Sequence, residues 1–91
     1  MKLNYNVIAK SGYKEYMGSN SKSYITSFKK VIGDVKVDIE VYKSIRGGVN
    51  YRISYYYFEE AIYIVNTKEL NLYIIEEIAA TINRSFSEQE K

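Results

Sequence analysis

The stretch that decides the fold is DVKVDIEVYKSIRGGVNYRISYYYF, residues 34–58. Apolar and polar side chains alternate on both sides of Gly47-Gly48, and a period of two with β-branched residues is typical of half-buried strands. The apolar sets are Val35, Val37, Ile39 and Val41 in the first arm and Val49, Tyr51, Ile53, Tyr55 and Tyr57 in the second. The pattern predicts a β-hairpin that buries one face of each strand.

The length of the hairpin loop follows from the requirement that opposed residues share a face. A two-residue Gly-Gly loop would pair Val41 with Ser54 and so set an apolar side chain against a polar one. A three-residue loop, Arg46-Gly47-Gly48, pairs Val41 with Ile53 and uses a glycine at positive φ. We therefore predict the three-residue loop.

The N-terminal third predicts a strand and a helix. Residues 2–9 alternate between apolar and polar side chains, which predicts a strand. Residues 10–20 fit either a turn with a short returning strand or a helical turn, and the pattern does not separate the two. Residues 22–32 place apolar side chains at helical spacing and predict a helix. A strand there would put Lys30 on the same face as Phe28, which also favours the helix.

The C-terminal third predicts another strand and another helix. Residues 61–65 form a continuous apolar run, which is typical of a strand buried on both faces. Residues 73–85 repeat apolar side chains at helical spacing, and Asn66 suits the helix cap with a glutamate at the capping-box position. Residues 70–72 fit a helix or a strand equally well, and residues 87–91 are expected to fray.

Together these elements predict a single α+β domain over residues 1–91. A small antiparallel sheet of three to four strands, built on the central hairpin, would carry two amphipathic helices in the order β-α-β-β-β-α. The hydrophobic content of 46% argues against disorder because it supplies enough apolar surface for a core.

The composition excludes much of enzyme chemistry. The 91 residues include neither His nor Cys, which removes imidazole acid–base catalysis, Ser-His-Asp triads, thiolate nucleophiles and the usual zinc ligands. Glycine motifs that bind phosphates are also missing from the sequence. The sequence therefore predicts a protein that is not an enzyme and that has no cofactor and no metal site.

The expected location is the cytoplasm. No apolar run approaches the roughly 18 residues of a membrane span, and the first residues lack the apolar core of a secretory signal. Lys, Asn, Ile and Tyr, whose codons are AT-rich, are abundant. This usage indicates a low-GC bacterium, its phage or another mobile element. A phage-encoded chain would act in the host cytoplasm.

The outer face of the hairpin is the first candidate binding surface. It interleaves aromatic and cationic side chains: Lys36, Tyr42, Arg52, Tyr56 and Phe58. The predicted register sets Tyr42 opposite Arg52, where they would form a cation–π pair. Such a surface can stack bases and neutralise phosphates, but Asp38 and Glu40 lie among these residues and repel phosphate. Tyrosine is enriched in protein interfaces, so a protein contact is favoured over nucleic acid.

A second candidate is a basic patch on the predicted first helix. Lys22, Lys29 and Lys30 would lie there and could contact phosphates or an acidic protein groove, although a solvated helix face is the favoured explanation. The net charge of +2 is too small to indicate a nucleic-acid binder.

We therefore expect a non-enzymatic protein-binding module whose partner is another protein or a protein–nucleic-acid complex. Small size and AT-rich residue usage suit a phage or mobile-element accessory protein, and in particular a stoichiometric inhibitor of a host nuclease or defence complex, of the anti-CRISPR type. One alternative is a small nucleic-acid-binding protein that uses the aromatic and basic sheet face. Another is a structural protein that self-associates into a homo-oligomer by pairing its basic N-terminal and acidic C-terminal parts.

Overall fold

A computed structural model describes residues 5–89. The elements in chain order are α1 (Tyr5–Lys10), β1 (Lys14–Tyr16), β2 (Tyr24–Ile32), β3 (Val35–Lys43), β4 (Val49–Tyr57), β5 (Glu60–Thr67) and α2 (Leu72–Gln89). The five strands form one antiparallel sheet in the order of the chain, so β1 and β5 are its edges. The α+β class is confirmed, but the sheet has five strands, and the order is α-β-β-β-β-β-α.

The central hairpin is confirmed as β3 and β4, whereas the predicted loop length is wrong. Lys43 pairs with Val49, so five residues form the loop, and Val41 lies opposite Tyr51. The register differs from the prediction by two residues, and a shift of two leaves every side chain on its predicted face. The loop closes through a backbone hydrogen bond from Ser44 N to Gly48 O at 3.1 Å.

Both loop glycines adopt the positive φ that the prediction required, at 94° for Gly47 and 73° for Gly48. Left-handed backbone is easily accessible to glycine but not to residues with a Cβ. A three-residue loop would have paired Ile45 with Val49, but Ile45 lies in the five-residue loop and is fully exposed. The wider loop therefore removes one apolar residue from the ladder.

Residues 22–32 do not form the predicted helix; most of them belong to β2. Lys30 does lie on the same face as Phe28, as a strand requires. The charge is tolerated because Lys30 Nζ donates to Ser11 O at 2.7 Å and pairs with Glu76 Oε2 at 3.3 Å. A lysine stem can pack on apolar surface when its ammonium group reaches polar partners. Those partners come from distant segments, so local spacing could not reveal them.

The strand predicted for residues 2–9 is wrong where the structure describes it, because α1 begins at Tyr5; residues 2–4 lie outside the described part. Among residues 6–10, Ile8 is buried, while Val7 is exposed. For residues 10–20 the structure selects the returning strand, since Lys14 in β1 pairs with Lys29 in β2.

The strand predicted at residues 61–65 is confirmed within β5, but it is not buried on both faces. It lies at the edge of the sheet, where Tyr63 is 49% exposed and Ile64 is 43% exposed. A continuous apolar run does not distinguish a central strand from an unprotected edge, which explains the error.

The last helix is confirmed, with its start at Leu72. Asn71 is the N-cap, because its Oδ1 accepts a hydrogen bond from Ile74 N at 3.2 Å. Asn66, the predicted cap, lies in β5. The helix continues to Gln89, and the fraying expected at its end stays a prediction.

The core lies between α2 and one face of the sheet, which we call the core face. Val35, Val37, Ile39 and Val41 of β3 are completely buried there. Ile75 and Ala79 of α2 join the same cluster, and the Tyr57 ring stacks on Phe86 with centroids 4.5 Å apart. Ile8 and Tyr13 also belong to this cluster, which places α1 on the same side of the sheet.

A side-chain clamp ties the end of α2 to the β2–β3 turn. Asn83 Nδ2 donates to Ile32 O, and its Oδ1 accepts from Asp34 N at 2.9 Å. Gly33 between them has φ 64°, and a Cβ at this position would come within 2.7 Å of Asn83. Glycine is therefore required by both the backbone conformation and the close approach. Among residues 5–89, no helix has the length and apolar character needed to cross a membrane.

Candidate functional site

The opposite face of the sheet, which we call the open face, carries the polar halves of the alternating strands. Opposed residues share a face, so the observed registers define its members. These include Tyr16, Ser27, Lys29, Val31, Lys36, Asp38, Glu40, Tyr42, Asn50, Arg52, Ser54, Tyr56, Ile64 and Asn66. The described helices pack on the core face, which leaves this surface for contacts with other molecules.

Two tyrosine–carboxylate hydrogen bonds organise the centre of the open face. Tyr16 OH donates to Asp38, and Tyr42 OH donates to Glu40 Oε2 at 3.0 Å. Burial raises the pKa of the Tyr16 phenol, and the hydrogen bond to Asp38 raises it further. The pKa of Tyr42 is also raised, first by burial and then by its hydrogen bond to Glu40. Both phenols therefore stay neutral at physiological pH and act as donors.

Asp38 is only partly satisfied by these contacts. Its second oxygen, Oδ1, is buried and accepts no hydrogen bond from the described residues. Buried polar atoms usually have a partner, so this oxygen is an exception, and its burial keeps it from direct contact with a docking partner.

Cation–π contacts order two aromatic rings on the same face. Lys36 Nζ lies 4.6 Å from the centroid of the Tyr56 ring, and Lys29 Nζ lies 4.9 Å from that of Tyr16. Contacts of this kind contribute about 0.5–1 kcal/mol at exposed sites. They hold the rings in defined positions without burying them completely.

The structure brings four of the five predicted site residues together. Lys36, Tyr42, Arg52 and Tyr56 all lie on the open face. The predicted pairing of Tyr42 with Arg52 is wrong, because Tyr42 lies opposite Asn50 and Arg52 opposite Glu40. The two-residue shift of the hairpin register accounts for this difference.

Phe58, the fifth predicted residue, does not belong to the open face. β4 ends at Tyr57, and Phe58 lies in the turn to β5 with a left-handed φ of 57°. Its ring packs edge-on against Tyr57, a core-face residue, with centroids 4.7 Å apart. The turn rotates its backbone, so the alternation of the strand no longer applies to this residue.

The predicted basic patch is dispersed. Lys29 lies on the open face and Lys30 on the core face, because neighbouring residues of a strand point to opposite sides. Lys22 lies before β2 and is exposed. The predicted patch required a helical backbone, so it does not form on a strand.

Sequence reasoning missed a cationic cleft beside the hairpin loop. The cleft has a volume of about 600 Å³, and its cationic side chains are Lys43, Arg46, Arg52 and Lys68. Tyr42 and Asn50 also line it, and no carboxylate does. Within residues 5–89 none of these cations forms an ion pair; the ion pair found there joins Lys30 to Glu76. The cleft is formed by the ends of separate strands. The sequence could therefore have indicated only its local part, Lys43 and Arg46 beside the hairpin loop.

The chemistry of this surface is that of recognition by contact. It presents carboxylates that are hydrogen-bonded by neighbouring phenols, aromatic rings in contact with lysines, and a cluster of cations. In the part of the chain that is described, no group of three or more carboxylates is arranged to hold a metal ion.

The chain matches no protein-family model, no curated protein and no solved structure. Its function must therefore be inferred from the surface itself.

Proposed function

We propose that the protein is a non-enzymatic binding module that docks the open face of its sheet onto a partner protein. The observation that carries this proposal is that both described helices lie on the core face. The uncovered face retains the half-buried rings of Tyr42 and Tyr56 beside the exposed cations Lys36 and Arg52. Tyrosine and arginine are enriched in protein interfaces, where they provide large contact areas and several hydrogen bonds.

A protein partner suits this surface better than a nucleic-acid backbone. Asp38 and Glu40 lie at the centre of the open face, where a phosphate chain crossing the strands would meet two carboxylates. A protein surface can match both signs of charge, and opposite charges placed across an interface favour the correct partner over wrong ones.

The cationic cleft specifies the chemistry of that partner. Lys43, Arg46, Arg52 and Lys68 converge on one end of the open face without a carboxylate among them. We propose that the partner places an acidic segment in this cleft while its mixed polar surface covers the remainder of the face. Charge complementarity of this kind accelerates association and fixes the orientation of the complex.

For the biological role we propose a stoichiometric inhibitor of a host nuclease or defence complex, of the anti-CRISPR type, encoded by a phage or mobile element and acting in the host cytoplasm. Two features of the sequence support it: the AT-rich residue usage and the absence of His and Cys. A protein without catalytic groups inhibits by occupying a surface, so its effect should saturate at one inhibitor chain per binding site.

The cationic cleft also supports one rival, direct binding of single-stranded nucleic acid. Phosphates could enter the cleft while a base stacks on Tyr42. This rival predicts that a fluorescently labelled single-stranded DNA binds the purified protein and that its affinity falls steeply with salt. Docking on a protein predicts negligible affinity for this probe at physiological salt.

The docking proposal is tested by matched affinity captures from nuclease-treated lysate of a low-GC bacterium. The chains used as bait are the wild type, Arg52→Glu on the open face and Arg84→Glu on the exposed side of α2. Both variants make the same change of charge, but only Arg52 lies at the proposed surface. We expect Arg52→Glu to reduce retention of the specific protein about tenfold or more, because hot-spot residues contribute more than about 1 kcal/mol.

Equal retention by both variants would contradict the assignment of the open face. Loss of all captured protein after nuclease treatment, together with DNA binding in the fluorescence assay, would support the nucleic-acid rival instead.

A further inference from the structure

The two edges of the sheet are protected very differently. β1 has three residues, and its exposed Lys14 and Glu15 place charges along that edge. β5 has eight residues, and its central segment from Ile62 to Val65 contains neither a charge nor a proline. Short strands and charged side chains normally prevent an edge from pairing with another chain, and β5 has neither protection.

The backbone of β5 exposes hydrogen-bonding groups at Ile64. The bond from Ser44 N to Gly48 O fixes the alternation of the β3–β4 ladder, so Ser54 exchanges its bonds with Asp38 in β3. Ser54 therefore has no backbone group directed towards β5. Its neighbour in β5 is Ile64, whose N–H and C=O must point away from the sheet.

Exposed apolar side chains accompany this free edge. Tyr63 and Ile64 are 49% and 43% exposed, and Tyr73 and Ile74 of α2 are 75% and 53% exposed. Between β5 and α2 runs an apolar groove of about 570 Å³, whose lining includes Ile62, Tyr63, Ile74, Ile78 and Ile82. Monomeric proteins rarely leave an extended apolar patch beside an unpaired strand.

We propose that β5 pairs with β5 of a second copy of this chain, antiparallel, across a two-fold axis at Ile64. In this register Ile64 exchanges both of its backbone hydrogen bonds with its own counterpart. Tyr63 faces Val65 of the other copy on the core-face side, so apolar side chains meet apolar side chains. A two-fold interface is self-complementary, as the same strand supplies both halves.

The uncharged stretch of β5 favours a second copy over an unrelated strand. It runs from Ala61 to Thr67 and is centred on Ile64, so a two-fold axis at this residue places the uncharged stretches of the two copies opposite each other. Glu60 and Lys68 flank the stretch on opposite faces of the sheet, because the bulge at Ile62 sets Glu60 opposite the core-face residue Tyr57. The pairing therefore brings no charged residue to the axis.

The dimer would contain one continuous sheet with both α2 helices on the same side. The two apolar grooves would flank the axis and face each other across it. Both open faces would lie on the opposite side of the sheet, so dimerisation would leave the proposed partner surface accessible. This proposal does not depend on the docking proposal, although Ile64 at the axis lies at the border of the open face.

The first test is the solution mass of the purified full chain by analytical ultracentrifugation. The wild type should sediment at twice the chain mass of 10.6 kDa at micromolar concentration. Ile64→Lys places two ammonium groups at the axis and should produce a monomer. The control, Val31→Lys, makes a similar change at an exposed position of β2 and should remain dimeric. Circular dichroism checks that both variants are folded.

The second test uses the absence of cysteine from the chain. In Ile64→Cys the two Cα atoms would lie about 5.5 Å apart across the axis, within the range that a disulfide spans. Mild oxidation should therefore link two chains covalently, whereas Val31→Cys should stay unlinked.

A monomeric wild type, or a dimer that persists in Ile64→Lys, would overturn the proposal. Failure of Ile64→Cys to cross-link more readily than Val31→Cys would overturn the register.

Discussion

Tyr55 occupies the centre of the core face, where only 1% of its surface is exposed. Its ring stacks against Tyr63 with centroids 5.9 Å apart. Burial, with a smaller contribution from Tyr63, raises the pKa of Tyr55 to about 12. In the unfolded chain the phenol has its ordinary pKa of about 10. The free energy of unfolding therefore depends on pH in the alkaline range.

We predict that the free energy of unfolding falls as the pH rises from about 10 to about 12. Over this interval the unfolded chain loses the Tyr55 proton while the folded chain retains it, so a higher pH favours unfolding. The contribution is fully present below about pH 10 and amounts to roughly 3 kcal/mol, since each pKa unit corresponds to about 1.4 kcal/mol. Urea unfolding at several pH values would measure the loss. Tyr55→Phe should show a smaller fall, and an identical fall in both proteins would contradict the prediction.

Lys30 shows why residue patterns alone misassigned β2. As a lone cation among apolar neighbours it favoured a helix, since a strand would turn it towards the core. In the fold its ammonium group reaches Ser11 O and Glu76, and it lies 5.3 Å from the centroid of the Tyr13 ring. These partners lie far away in sequence, so the information that permits a strand here is tertiary.

At the scale of elements, alternation located the central strands and their buried faces, because that signal is local. The loop length was wrong by two residues for a specific reason. Pairing rules fix only whether a shift is odd or even, and two registers that differ by two preserve the same faces. Turn hydrogen bonds then select between them, here through Ser44 and Gly48.

The start of α2 offers a direct comparison between two candidate caps. We predict that Asn71→Ala lowers the free energy of unfolding by about 1 kcal/mol, because Ile74 N–H loses its acceptor. Asn66→Ala, at the cap position inferred from the sequence, should change it by less than about 0.5 kcal/mol, since Asn66 is an exposed residue of β5. Urea unfolding of both variants measures the difference. The opposite ranking would mean that the helix begins earlier.

At the scale of the whole molecule, the sheet separates two kinds of surface. The core face holds the helices and the apolar cluster, while the open face holds the ordered rings, the carboxylates and the cationic cleft.

Alternation alone predicts that Lys36, Tyr42, Arg52 and Tyr56 share one face, because every second side chain of a strand points the same way. The cationic cleft could not be predicted in this way. Its cations Lys43, Arg46 and Lys68 come together only when the strand ends align.

The most direct test of the open face as the docking surface is hydroxyl-radical footprinting of the tyrosines, with and without the captured partner. Tyr42 and Tyr56 lie on the open face, and Tyr73 is 75% exposed on α2. We predict that binding lowers the oxidation of Tyr42 and Tyr56 several-fold and leaves that of Tyr73 unchanged. Protection of Tyr73 with continued oxidation of Tyr42 and Tyr56 would contradict the account and place the partner on the helical side of the sheet.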